Sequence, residues 1–102
     1  VKIIADKAEV AVDFPDKAYV GSFGHNARFE AKADQAGVAL RLERHDGGEK
    51  REVNIHLHHG LFADMIEEIA RALAAMKPLD ERHREDLLTA ARHLVVALGG
   101  KG

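Results

Sequence analysis

The chain predicts an α+β fold. The expected domain has two layers: an antiparallel β-meander of four or five strands, then a C-terminal pair of antiparallel helices packed on one sheet face. Three observations predict it. Residues 8–58 alternate apolar and polar side chains with the period of two that a half-buried strand requires. Residues 61–98 repeat apolar side chains at the three- and four-residue spacing of a helix with one buried face. Turn-forming residues, Pro15-Asp16, Gly47-Gly48 and Pro78, fall between these segments. One domain over residues 1–102 is expected, with the meander at about 8–58.

In chain order, "AEVAVDF" (8–14) sets Val10, Val12 and Phe14 on one face, and "FPDK" turns the chain. "AYVGSF" (18–23) is a second strand, bent at Gly21, followed by strands at 27–34, 37–44 and 51–58. Residues 1–5 read as a short strand or a lead-in. Gly47-Gly48 supplies the positive φ of a two-residue hairpin. That register pairs Leu42 with Val53, Leu40 with Ile55 and Val38 with Leu57.

Between the preceding strands, pairing Ala31 with Leu40 and Phe29 with Leu42 keeps the apolar face intact. It also sets Arg28 against Glu43 and Glu30 against Arg41. Gly37 would close a three-residue loop, but that one-residue slip would bury Glu30 and Lys32, so the face pattern decides the register.

A first helix at about 61–77 carries Phe62, Met65, Ile66, Ile69, Leu73 and Met76 on one stripe, and Pro78 ends it. Asp80 caps a second, at about 81–98, with Leu87, Leu88, Ala91, Leu94, Val95 and Leu98 on its stripe. Gly99-Gly100 stops it. Each apolar arc spans roughly 160°, wider than the ~100° needed to face one surface. Each helix is therefore expected to touch both a sheet and another helix.

Composition narrows the function. Apolar residues make up 46% and charged residues 31%, the balance of a soluble globular domain. With no cysteine, disulfides, cysteine-based zinc sites and thiol catalysis are excluded. A net charge of −2 creates no field drawing the chain to nucleic acid or anionic lipid. No apolar run approaches the ~20 residues of a membrane span, and no signal-peptide pattern appears. Cytoplasmic is the default expectation. The opening at Val1 is compatible with a processed or trimmed start.

The residues that draw attention are His56, His58 and His59 in "NIHLHHG" (54–60). Period two puts His56 and His58 on the polar sheet face, where two imidazoles can reach one metal ion and His59 can join them. A site would need a third ligand and a second shell, with His25, Asp13 and Asp64 as further donors. The plainer reading is a polar strand face that ends in histidines. The run is not the H-x-H-x-D-H pattern of metallo-hydrolases, whose aspartate and last histidine are missing here.

Catalytic residue types are scarce: Ser22, Thr89 and Tyr19 are each the sole residue of their kind. Glu43 and Glu52 face each other across the hairpin, a pair that does acid–base work only if it is left unbridged. A sheet face with Arg28, Lys32, Arg41 and Arg44 suggests a platform for single-stranded nucleic acid, provided Tyr19 and Phe23 supply exposed rings.

Three functions follow. The leading expectation is a small non-enzymatic interaction or structural domain acting as a homo-oligomer, most simply a dimer, without a cofactor. The alternatives are a divalent-metal-binding (zinc) or metal-dependent hydrolytic domain on His56, His58 and His59, and a single-strand nucleic-acid binder.

Overall fold

A computed structural model describes residues 1–101 of the chain. Six strands precede two helices: β1 (Lys2–Ile3), β2 (Ala8–Phe14), β3 (Lys17–Phe23), β4 (Ala27–Ala33), β5 (Gly37–Asp46), β6 (Glu49–His58), α1 (His59–Ala75) and α2 (Glu81–Ala97). This is the α+β class, with all strand pairs antiparallel. The chain forms two compact units, Val1–Met65 and Ile66–Gly102.

In the strand unit the expected register holds at every pair. Asp46 faces Glu49 across Gly47 and Gly48, whose φ values of 55° and 91° are those of a primed hairpin turn. Leu42 faces Val53, Leu40 faces Ile55, and Phe29 faces Leu42. Gly37 does not close a three-residue loop. The penalty for exposing the apolar set outweighs the turn preference.

The meander is nevertheless divided. One sheet runs β1-β4-β5-β6, and β2 and β3 form a separate two-stranded ribbon. β1 takes the edge of β4 that a continuous meander would give to β3, pairing Lys2 with Phe29. The reason lies in the core, where Ile4, Phe23 and Ala27 are buried together with Val10, Leu42 and Val53 packed around them. The ribbon thereby adds its own apolar face to the sheet, as a second layer. Gly21 is no bend: β3 continues through it, paired with Val10, and a Cβ there would meet the Tyr19 side chain.

In the helical unit, Asp80 caps α2 as expected, its carboxylate accepting from the His83 backbone N–H at 3.2 Å. The helix closes in a Schellman arrangement: Gly100 N–H donates to Val95 C=O at 2.9 Å and Gly99 N–H to Val96 C=O at 3.0 Å. The His83 side chain and backbone hold the Asp80 carboxyl below its ordinary pKa of 3.8. A carboxyl depressed on folding stabilises above its unfolded pKa and loses that contribution as pH falls through the folded value. Asp80→Ala is therefore expected to lower the melting temperature at pH 7, and the difference from wild type to shrink as pH falls below the ordinary value of 3.8. Circular dichroism melts at the two pH values check both parts.

No residue of α1 or α2 is buried. The apolar stripes fall on the helices where the sequence puts them. Among the described residues, no helix is long and apolar enough to cross a membrane.

Candidate functional site

The histidines gather at the end of the sheet where β6 runs directly into α1. His56 lies opposite Ala39 and His58 opposite Gly37, and their rings meet edge to face at 5.2 Å between centroids. The residue that organises this end is Asp34, between β4 and β5. Its Oδ1 accepts from the Ala36 and Gly37 backbone N–H groups, both at 2.8 Å. Its Oδ2 lies 3.4 Å from His56 Nε2, and its backbone carbonyl lies 3.0 Å from His59 Nε2. The backbone bonds from Gly37 and Ala36, then the neighbouring His56, hold the Asp34 carboxyl below its ordinary value.

The cluster is a clasp. It ties the β4–β5 turn to the end of β6, and the His59 N–H adds a bond to the Ala36 carbonyl at 3.2 Å. The Nε2 atoms of His56 and His59 already face Asp34 oxygens. Among the described residues, no three His, Asp or Glu side chains are placed to hold one metal ion.

Sequence reasoning named His25, Asp13 and Asp64 as further donors and missed Asp34. Parity could have found it, since Asp34 lies two positions beyond Lys32, which shares a row with Ala39 and His56. Asp34→Ala should speed amide exchange at Ala36 and Gly37 at least tenfold, with exchange in β2 and β3 unchanged. Hydrogen-exchange NMR reads both.

The polar sheet face is internally neutralised. Glu30 sits 3.5 Å from both Lys32 and Arg41, and Arg41 also reaches Glu43 at 3.6 Å. Glu43 and Glu52 do lie opposite each other, but Lys50 bridges them at 3.5 and 2.9 Å. Hydrogen bonds from Asn54 and Lys50 push the Glu52 carboxyl down, away from the raised pKa of a general acid. Arg44 belongs to the other face, its guanidinium 5.5 Å from the centre of the Phe23 ring. Tyr19 and Phe23 share a face of β3, but it points inward, and Phe23 is 0% exposed. It offers no ring to a base.

What stands open is apolar. On the sheet, Phe29, Leu40 and Ile55 are 37%, 38% and 45% exposed beside a groove of about 270 Å³. On the helices, Ile69, Leu73, Leu87, Leu94 and Val95 are all exposed, and Leu98 reaches 79%. Scattered single apolar residues are ordinary on a protein surface; apolar residues repeated along two helical stripes and a sheet face are not scattered. No known protein family, curated protein or solved structure matches this chain.

Proposed function

We propose that this chain is a small non-enzymatic interaction domain that works as a homo-oligomer, most simply a dimer. One observation carries the reading: both helices bear complete apolar stripes and neither buries a residue. Each helix is 17 residues long, and most helical stability in proteins comes from packing an apolar face rather than from propensity. A two-helix unit without a core gains that packing from a partner.

Charge favours a second copy as the partner. Residues 66–102 carry six acidic and six basic side chains, so two such units meet without net repulsion. The short supply of catalytic residue types, and the bridging of Glu43 and Glu52 by Lys50, support a non-enzymatic role.

Sedimentation velocity over a hundredfold range of concentration tests the reading. A concentration-dependent dimer is expected. A charge at the centre of a desolvated interface costs about 2 kcal/mol or more, some 30-fold in affinity, so Leu94→Asp should shift the transition to far higher concentration. A chain that stays monomeric throughout overturns the reading.

A further inference from the structure

We infer that the cavity between the ribbon and β6 binds a small organic monocarboxylate, with Lys17 and Arg51 taking its charge and an apolar wall taking its body. Such a site goes beyond the homo-oligomer reading and stands without it.

Every residue around this cavity of about 400 Å³ belongs to β2, β3 or β6, so its walls are built without residues 66–102. Small-molecule sites enclose ~300–1,000 Å³ and combine an apolar lining with a few polar groups. Val12, Ala18, Tyr19 and Val53 supply the apolar lining. The Tyr19 hydroxyl lies over Gly21, where an added Cβ would meet it, so Tyr19 gives the cavity its ring.

Two cations border the same space from positions where alternation calls for apolar residues. Period two puts Lys17 on the inward face of β3 with Tyr19 and Phe23, and Arg51 on the apolar sheet face with Val53 and Ile55. Neither charge is well matched. Among the described residues Lys17 has no ion-pair or hydrogen-bond partner. Arg51 reaches Asp46 Oδ2 at 3.6 Å, an oxygen that Arg44 already holds at 2.8 Å, and Glu49 only at 3.9 Å.

Backbone completes the site. The consecutive residues 50–53 all border the cavity, although alternate side chains leave a strand on opposite faces, so the cavity runs along the edge of β6. The Lys50 and Glu52 side chains are engaged with each other at 2.9 Å. Asp46 and Glu49 close a two-residue hairpin and exchange ladder bonds, so Arg51 and Val53 bond to β5 while the N–H groups of Lys50 and Glu52 point away from it. No strand pairs with that edge. One carboxylate oxygen can accept from an edge N–H while the other faces Lys17 and Arg51. The Glu52 and Glu49 carboxylates stand close by and repel a dianion more than a monoanion.

Titration with phenylbutyrate, followed by heteronuclear NMR, tests the site. Phenylbutylamine and phenylbutanol are the cationic and neutral compounds of the same body, and inorganic phosphate is an anion without one. Phenylbutyrate should give saturable shifts centred on residues 17–19 and 50–53, and phenylbutylamine should bind about tenfold more weakly. Lys17 is exposed, so Lys17→Gln removes its charge without disturbing the core. That variant should weaken phenylbutyrate severalfold and leave phenylbutanol unchanged, and Lys17→Arg should restore the affinity. Equal binding of phenylbutyrate and phenylbutylamine, phosphate binding as tightly as phenylbutyrate, or no saturable shift at these residues overturns the site.

Discussion

Replacing Gly37 with alanine is expected to cost about 3 kcal/mol and to disorder the histidine end of the sheet. A Cβ at this position would lie 2.0 Å from the Leu57 carbonyl oxygen and 2.8 Å from the His58 Cα. Both are backbone atoms, so no side-chain rotation relieves the overlap. β5 must move away from β6 at the Gly37–His58 pair. That movement also pulls the Gly37 N–H from Asp34 Oδ1, releasing the carboxylate that faces His56. The urea midpoint should fall, and amide shifts should concentrate at residues 34–39 and 55–59. Gly47→Ala is the contrast: its φ of 55° strains alanine, but nothing lies within 4 Å of the new carbon. Its cost should be about 1 kcal/mol. Equal stability of Gly37→Ala and wild type would mean that β5 and β6 do not approach so closely there.

Gly37 also shows how far the sequence could be read. Its spacing suggested a loop of the wrong parity, and only the alternation of Phe29, Ala31, Leu40 and Leu42 corrected it. Registers, faces and caps were legible because each follows from local periodicity or from one side chain bonding its own backbone. Asp80 and Gly99-Gly100 are of that kind. The division of the sheet was not legible, because it turns on Ile4 and Phe23 meeting across nineteen positions of chain. No periodicity encodes that meeting. The site was half legible. The faces of His56 and His58 followed from period two, but Asp34 enters from a neighbouring hairpin, and no periodicity points to Lys50 as the bridge between Glu43 and Glu52. The wide helical arcs were visible in the sequence, but periodicity tells which face is apolar and never what lies against it.

The second large effect is expected at Phe23. It is the largest fully buried side chain among the described residues, in a core whose other buried members are Ile4 and Ala27. Phe23→Ala removes the ring from the core against which Val10, Leu42 and Val53 pack, and leaves the Arg44 guanidinium without the aromatic face beneath it. Truncating a buried phenylalanine costs ~3–5 kcal/mol, and whole domains are stable by ~5–15 kcal/mol. A unit with so few buried residues belongs at the low end of that range, so the variant should be largely unfolded at 37 °C. Phe23→Leu keeps most of the volume and loses the cation–π contact, for an expected cost of about 1–2 kcal/mol. Val20→Ala, on the same strand but 81% exposed, should change stability by no more than ~0.5 kcal/mol. Urea unfolding of the three variants at two protein concentrations separates the core from the assembly. The spacing between variants should persist at both concentrations, while every midpoint rises with concentration if copies stabilise one another. Similar losses from Val20→Ala and Phe23→Ala would mean that β3 presents its other face to the sheet, and the ribbon would then not be the second layer that leaves Phe29, Leu40 and Ile55 open.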